Sequence, residues 1–183
     1  DIIKSNIDLK SLIELSKNDN IIFQVDEVKK QYDVILALAI DKAFNFYYED
    51  GINHLREKGV KIVEFNTLKD EKLPYCHGVY IGGGYPEIYA KEISQNKSLM
   101  RDIFEKSKEN MPIYAECGGL MYLGNKIVTN DKEYDMVGIF EGISIMNDKL
   151  QRFGYCNGIS NENTPISKKG QVVKGHEFHY STF

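Results

Sequence analysis

Apolar residues along this chain follow two patterns. Several short runs of four to seven residues are rich in apolar side chains and are bounded by polar or glycine-containing segments. Between them, apolar residues recur at three- and four-residue spacing, which is the period of a helix. Runs of this kind joined by helices are typical of parallel strands that are buried on both faces. The pattern therefore predicts an α/β fold with a mostly parallel, doubly wound sheet and flanking helices, the strands lying at residues 34–40, 60–65, 78–81 and 112–115.

The first predicted helix, at about residues 45–58, contains an apolar stripe that indicates a buried face. A pair of helices is predicted at about residues 87–108. Phe46 and Tyr47 fall outside the stripe, so we expect them to form part of a surface that docks another domain. The alternative is a local aromatic cluster that covers the edge of the sheet. The residues of the stripe are Phe44, Tyr48, Ile52 and Leu55.

Beyond Lys126 the pattern changes to short stretches in which apolar and polar residues alternate. Alternation with a period of two is typical of strands, and the Asn-Asp and Asn-Gly pairs between the stretches favour turns. We therefore expect the C-terminal half to carry an antiparallel extension, with strands at residues 134–140, 142–146 and 152–160.

The first thirty residues carry one short amphipathic pattern and then a polar stretch at residues 17–20. Asp8 stands where a helix N-cap is expected, so a single short helix is predicted after it. Because the chain begins without Met, we interpret residues 1–30 as the end of a preceding domain with its linker, and residues 31–183 as one domain. The periodic residues of the helix are Leu9, Leu12, Ile13 and Ser16.

Composition argues against a nucleic-acid-binding protein and against a membrane-spanning one. The chain has 23 Lys and Arg against 27 Asp and Glu, a net charge of −4, and no stretch that concentrates positive charge. Phosphate binding needs such a stretch, so we expect no nucleic-acid partner. The longest apolar run, residues 34–40, is strand-sized and too short to cross a bilayer. We therefore expect a soluble protein with no membrane partner.

The cysteines Cys76, Cys117 and Cys156 are odd in number and lack the spacing of metal ligands. This usage is typical of reduced thiols in the cytoplasm rather than of disulfides or a zinc site. We therefore expect a cytoplasmic protein with no metal bound to this domain. Cys76 and Cys156 lack any local context for reactivity and are interpreted as structural.

Cys117 comes directly after a predicted strand and directly before Gly118 and Gly119. A cysteine at a sharp strand-to-helix turn presents its sulfur to solvent, and glycines relieve the crowding of such a turn. The start of the following helix would favour the thiolate and offer backbone N–H donors to an oxyanion. The sequence predicts a nucleophile for acyl transfer, with a buried small cysteine as the alternative.

A run of three glycines, Gly82 to Gly84, ends the preceding predicted strand. Ligands of parallel sheets gather at the carboxyl ends of the strands, so we expect this run to meet the Cys117 turn. Gly83 or Gly84 would then form an oxyanion hole together with the N–H of Gly118. The nearest approach to a phosphate-binding loop, residues 119–124, has Asn125 where such a loop requires lysine, so no ATP site is predicted there.

A cysteine nucleophile normally needs a base, for which the chain offers four histidines. In the segment GHEFHYS, strand alternation places Glu177 and His179 on one face and His176 on the other. His179 is therefore the favoured base from the residues alone. An equally favoured interpretation is that His179 is a structural strand residue whose ring is hydrogen-bonded to neighbouring backbone. Of the remaining two histidines, His54 is expected to lie on an exposed helix. His77 precedes its strand and is expected at the end of the sheet opposite to Cys117.

Four segments, in this order, resemble the glutaminase domain of the cobyrinic acid a,c-diamide synthase family: DKAFNFYYED, GGGYPEIYA, PIYAECGGLMYL and GHEFHYS. The resemblance runs from about Val34 to the end of the chain. It is carried most specifically by PIYAECGGLMYL together with GGGYPE, since an isolated cysteine turn would fit many hydrolases. The resemblance implies the class I-like, triad-type glutamine amidotransferase fold, which is flavodoxin-like.

The resemblance also implies a larger, ATP-dependent amide ligase. In it, an N-terminal domain that binds ATP and Mg activates side-chain carboxylates of a tetrapyrrole, while the domain seen here hydrolyses glutamine and supplies the ammonia. The expected partners are thus glutamine, the preceding domain and the tetrapyrrole acceptor on that domain. No cofactor is expected in the glutaminase domain itself, and residues 1–30 would be the remnant of the ATP-binding domain.

The catalytic base implied by the resemblance belongs to a later Tyr-x-His-x-His segment, which would follow Phe183. His179 then remains the alternative base, and we expect little glutaminase activity from residues 1–183 alone. Other interpretations stay open: amidation of hydrogenobyrinic acid or nickel sirohydrochlorin, a free-standing γ-glutamyl cysteine hydrolase, or a non-catalytic partner-binding domain.

Overall fold

The computed structural model describes residues 6–17, 33–164 and 166–183. The chain divides into two compact units, Asp1–Lys30 and Gln31–Phe183. In the first unit, helix α1 spans Leu9–Ser16, and the Asp8 carboxylate accepts hydrogen bonds from the N–H groups of Lys10 and Ser11, both at 3.1 Å. The predicted capped helix is confirmed. The polar stretch predicted after it lies outside the described residues from position 18 onward.

The second unit begins with a parallel α/β layer and continues into strands that pair mostly antiparallel. In the described part its elements are β1 (Val34–Ala39), β2 (Phe44–Phe46), α2 (Glu49–Glu57), β3 (Val60–Phe65), β4 (Gly78–Ile81), β5 (Gly83–Gly84), α3 (Ala90–Gln95), α4 (Lys97–Lys108), β6 (Ile113–Ala115), α5 (Gly118–Leu123), β7 (Lys126–Thr129), β8 (Lys132–Asp135), β9 (Ile143–Met146), β10 (Arg152–Ile159), β11 (Val172–His179) and β12 (Ser181–Thr182).

The central sheet contains four parallel strands in the order β3-β1-β4-β6. The four strands match the predicted positions to within one residue: β1 ends at Ala39, β6 begins at Ile113, and the other bounds are as predicted. On one face of the sheet, alternate residues of β1 and β4 pack into the main core with helices α3, α4 and α5. The predicted α/β fold with a largely parallel sheet and flanking helices is confirmed. Core residues of these elements include Ala37, Ala39, Val79, Ile81, Ile93, Leu99, Ile103 and Leu123.

The prediction that the first helix begins at about residue 45 was wrong. Residues Phe44–Phe46 form β2, which pairs antiparallel with β5, and helix α2 begins only at Glu49. Tyr48, predicted to be core, is 87% exposed, whereas Phe44 and Ile52 of the same stripe are buried. The physical reason is tertiary: pairing with the glycine strand β5 holds this segment extended, and helical spacing cannot reveal such a partner.

The C-terminal half contains a mixed four-stranded sheet, ordered β12-β9-β7-β8, and a two-stranded hairpin of β10 and β11. Strands β9 and β10 confirm the predictions at residues 142–146 and 152–160. The predicted strand at 134–140 was wrong beyond Asp135, where β8 ends. Met136 and Val137 instead donate their N–H groups to the carbonyls of Asn125 and Tyr122, at 2.9 and 3.0 Å, because this segment packs on the end of α5.

Among the described residues, no helix combines the length and apolar character that would carry it across a bilayer.

Candidate active site

Cys117 forms the turn between strand β6 and helix α5. Its backbone angles are φ 50° and ψ −111°, a conformation that non-glycine residues rarely adopt and that costs about 1 to 3 kcal/mol. Two backbone hydrogen bonds hold the turn: the N–H of Glu116 donates to the carbonyl of Ile81 at 3.0 Å, and the N–H of Gly119 donates to the carbonyl of Glu116 at 2.8 Å. The structure thus contains the strained strand-to-helix elbow expected from the sequence.

The two glycines after Cys117 allow helix α5 to approach strand β4 closely. A Cβ atom added to Gly119 would lie 2.3 Å from the carbonyl oxygen of Ile81, and one added to Gly118 would lie 2.8 Å from Cδ of Pro86. Both distances are shorter than any normal contact. The tight elbow therefore requires glycine at both positions.

The glycine strand β5 lies beside the elbow, as predicted, because β4 and β6 are adjacent in the sheet. A Cβ on Gly83 would lie 3.6 Å from Cβ of Cys117, and the backbone nitrogen of Gly84 lies 3.3 Å from the position of a Cβ on Gly118. The structure therefore brings Gly83, Gly84 and Gly118 together next to Cys117. That their N–H groups hold an oxyanion stays a prediction.

The electrostatic surroundings of Cys117 favour the neutral thiol. The residue as a whole is exposed to solvent, but protein atoms surround part of its thiol. This partial burial raises the pKa of the thiol. The N–H of Gly118 lowers the pKa, while the nearby carboxylates of Glu87 and Glu116 raise it further. The N–H of Gly118 thus acts in the direction expected from the helix start, but burial and two carboxylates oppose it and the pKa is raised on balance.

A cluster of tyrosines surrounds the carboxylate of Glu116, the residue before Cys117. Tyr80 donates to one carboxylate oxygen at 3.0 Å and Tyr114 donates to the other at 2.7 Å. Burial, followed by the Glu116 carboxylate, raises the pKa of Tyr114 to about 12. Sequence analysis missed this cluster, although both tyrosines occupy the same register on neighbouring strands and could have been paired once β4 and β6 were known to be adjacent.

Tyr47 links the carboxyl ends of two strands. Its hydroxyl donates to the carbonyl of Ala39 and accepts from the N–H of Gly82 at 2.9 Å. Burial raises the pKa of Tyr47 to about 12. The side chain is therefore used inside the domain, in agreement with the alternative of a local aromatic cluster. Phe46 is 51% exposed with its ring edge-on to Tyr85, and Tyr47 is only partly buried, so the docking role stays a prediction for both.

The four histidines form contacts away from the thiol. His54 lies 3.7 Å from Glu57, and His77 Nδ1 accepts from the N–H of Ile35 at 3.0 Å. His176 stacks edge-on against two aromatic rings of the hairpin. Within the described ranges, no histidine is hydrogen-bonded to the sulfur of Cys117.

His179 and Glu177 are both half-buried whereas His176 is exposed, as strand alternation predicted. His179 Nδ1 lies 2.8 Å from the carbonyl oxygen of Ser181. This contact fits the alternative interpretation of a strand histidine that is satisfied by backbone. The contact occupies Nδ1 and, among the described residues, leaves Nε2 without a hydrogen-bond partner, so it does not decide the role of His179, which stays a prediction as the alternative base.

Residues 119–124, the nearest approach to a phosphate loop, lie almost wholly in helix α5, and the N–H of Leu120 donates to the carbonyl of Cys117 at 3.0 Å. In the part of the chain that the structure describes, no group of three or more His, Cys, Asp and Glu side chains could hold a metal ion.

Residues 35–183 match the model of the CobB/CobQ-like glutamine amidotransferase domain. The chain belongs to this family. Relatives named cobyrinate a,c-diamide synthase are 42% identical in Listeria innocua, over 100% of this chain and 41% of that protein, and 45% identical in Methanobrevibacter smithii, over 98% of this chain and 40% of that protein. The chain therefore spans about two fifths of the length of these relatives.

Among solved structures, PurLQS from Thermotoga maritima is similar to this chain, with a TM-score of 0.57 and 15% sequence identity over 81% of this chain and 67% of that one. At this identity the likeness concerns the fold alone. It agrees with the α/β architecture of the central parallel sheet.

Proposed function

We propose that this domain hydrolyses glutamine through a thioester on Cys117 and delivers the ammonia to a ligase that amidates the a and c side-chain carboxylates of cobyrinic acid. The observation that carries the proposal is the strained Cys117 elbow with three glycine amides beside it. The amidotransferase family and the relatives named cobyrinate a,c-diamide synthase support this choice of acceptor.

The reaction requires the Cys117 proton to leave, because the neutral thiol is a weak nucleophile. The thiolate then attacks the carboxamide carbon of glutamine, and the N–H groups of Gly118 and of Gly83 or Gly84 hold the resulting oxyanion. When the C–N bond breaks, the leaving nitrogen takes up a proton and departs as ammonia. Water attacks the γ-glutamyl thioester, and glutamate and the thiol are released. The net change is glutamine plus water to glutamate plus ammonia.

A base must accept the thiol proton and later activate the water. We propose that it lies in a Tyr-x-His-x-His segment further along the longer relatives, with His179 as the alternative within this chain. ATP and Mg would bind to another part of the full-length protein, as would the tetrapyrrole acceptor. The proposal also places the protein in the cytoplasm, since Cys76, Cys117 and Cys156 are all free thiols.

A second candidate is a free-standing γ-glutamyl cysteine hydrolase, because the Cys117 elbow by itself requires no ATP-dependent partner. Within the amidotransferase proposal, hydrogenobyrinic acid and nickel sirohydrochlorin remain related acceptors. All these possibilities share the chemistry at Cys117 and differ in what consumes the ammonia.

The test compares glutamine-dependent and ammonium-dependent amidation by the full-length enzyme. We expect Cys117→Ser to lower the glutamine-dependent rate by at least about 10³-fold while added ammonium still supports amidation. Cys156→Ser serves as the matched control and should retain both rates. A glutamine analogue with a reactive diazo ketone should label Cys117 alone.

The same assay distinguishes the bases and the candidate functions. Retained glutaminase activity in His179→Ala is expected if the base lies elsewhere, and loss of it would assign the base to His179. Glutamine hydrolysis without any ATP-dependent amidation would favour the free-standing hydrolase. Glutamine-dependent amidation that survives Cys117→Ser would refute the proposed function.

A further inference from the structure

Glu87 is half-buried and follows Pro86, which packs against Gly118 beside the nucleophile. Burial raises the pKa of Glu87, and its own backbone N–H lowers it. Its negative charge also acts on the Cys117 thiol, whose pKa it raises. Among the described residues, no Lys, Arg or His forms an ion pair with Glu87. A carboxylate removed from water in this way favours a cation as its partner.

The backbone around Glu87 is held firmly against the elbow. The preceding residue, Pro86, is fully buried. Its Cδ atom would lie 2.8 Å from a Cβ atom added to Gly118. The N–H of Tyr85 donates to the carbonyl of Ala43 at 2.9 Å, and the N–H of Tyr89 donates to the carbonyl of Pro86 at 3.2 Å. The backbone at Glu87 is therefore held beside the elbow by contacts on both sides of the residue.

Glu116 provides the contrast, since it is the other carboxylate that acts on Cys117. Both of its oxygens are occupied by the hydroxyls of Tyr80 and Tyr114. Within residues 33–164 and 166–183, no side-chain hydroxyl or amide donates a hydrogen bond to Glu87. Of the two carboxylates, Glu87 is the one available to a ligand.

Free glutamine brings the required cation. Its α-ammonium nitrogen lies roughly 5 Å from the carboxamide carbon when the side chain is extended, given covalent bonds of about 1.5 Å. A substrate bound to Cys117 through its carboxamide carbon would therefore carry its positive charge into the immediate surroundings of the thiol. That is the region in which the Glu87 charge acts.

Building on the proposed glutamine hydrolysis, we propose that Glu87 binds the α-ammonium group of the substrate and so selects free amino acids over amides that lack this group. A charge-assisted hydrogen bond of this kind is stronger than a neutral one. Binding would also neutralise the carboxylate, which removes one of the causes that hold the Cys117 thiol in its neutral form. The thiol would become easier to deprotonate when the correct substrate is present.

The experiment measures kcat and KM of the full-length enzyme for glutamine and for 4-carbamoylbutanoate, which has the carboxamide but no α-ammonium. In Glu87→Gln we expect kcat/KM for glutamine to fall about 10- to 100-fold, mainly through KM. The value for 4-carbamoylbutanoate should stay within about twofold, because that substrate has no ammonium to bind. Glu87→Asp should retain most of the preference for glutamine, and Glu92→Gln, on an exposed surface five positions later, should behave as the wild type.

A second readout does not depend on turnover. Alkylation of Cys117 by iodoacetamide in the absence of substrate should be faster in Glu87→Gln than in wild type, since a nearby negative charge has been removed. An equal loss of activity on both substrates, or an unchanged preference with unchanged alkylation, would overturn the assignment of Glu87. Absence of any Cys117-dependent glutamine hydrolysis in the wild type would instead refute the proposed function, and the two failures are therefore distinguishable.

Discussion

The Cys117 elbow and the β10–β11 hairpin both contain glycines and aromatic residues, but the elbow is tightly packed and the hairpin is exposed. At the elbow, backbone approaches backbone so closely that a single methyl group on Gly119 would overlap the carbonyl of Ile81. On the hairpin, Tyr155 is 94% and Phe153 73% exposed, and a Cβ on Gly158 would have only ordinary contact, at 3.8 Å.

The difference shows what holds the candidate site in place. The position of Cys117 is set by contacts from strands β4, β5 and β6, so its strained angles are supported by the core of the domain. The hairpin is held mainly by its own cross-strand pairing, and a two-stranded hairpin of this kind has little stability of its own. Substitutions of the same type should therefore have very different effects in the two regions.

The largest effect is expected from adding one methyl group at the elbow. Gly119→Ala should lower the free energy of unfolding by about 3 kcal/mol, because the new Cβ meets backbone that cannot rotate away. The matched change on the hairpin, Gly158→Ala, should alter the free energy of unfolding by no more than about 0.5 kcal/mol. Urea unfolding followed by circular dichroism measures both. Similar losses for the two variants would show that the elbow is not more tightly packed than the hairpin.

A smaller effect is expected from removing the hydroxyl that joins the strand ends. Tyr47→Phe should cost about 1 to 3 kcal/mol of unfolding free energy, since the N–H of Gly82 and the carbonyl of Ala39 both lose a partner. Tyr75→Phe is the control, because its ring is largely exposed and its hydroxyl makes only a 3.3 Å contact with His77. The expected change for the control is less than about 0.5 kcal/mol. A neutral Tyr47→Phe would mean that water replaces the hydroxyl without loss.

The smallest effect is expected on the aromatic face of the hairpin. Tyr155→Ser removes a ring that stacks edge-on with His176 at 5.6 Å between centroids. Cross-strand pairs of this type contribute about 0.2 to 1 kcal/mol, so the free energy of unfolding should fall by less than about 1 kcal/mol. Thermal and urea unfolding provide the measurement. A loss above about 2 kcal/mol would indicate that this ring is buried in solution, and the contrast between the two regions would then fail.

The sequence by itself determined the parallel strands, the paired helices α3 and α4, the elbow and the run of glycines beside it. These features depend on local signals: runs of apolar residues, helical spacing, and glycine where the backbone must turn sharply or pack closely. The alternation that placed Glu177 and His179 on one face of β11 is a local signal as well. Such patterns are visible along the chain because neighbouring residues produce them.

Only the tertiary structure decided what depends on distant partners. Residues 44–46 are extended because they pair with β5, and the Tyr47 hydroxyl is buried because two strand ends converge on it. The net rise in the pKa of Cys117 results from burial and from carboxylates on two different segments, Glu87 and Glu116. Exposure of the hairpin aromatics likewise depends on which elements pack nearby. Burial and electrostatic interactions act through space, so local sequence spacing cannot determine their balance.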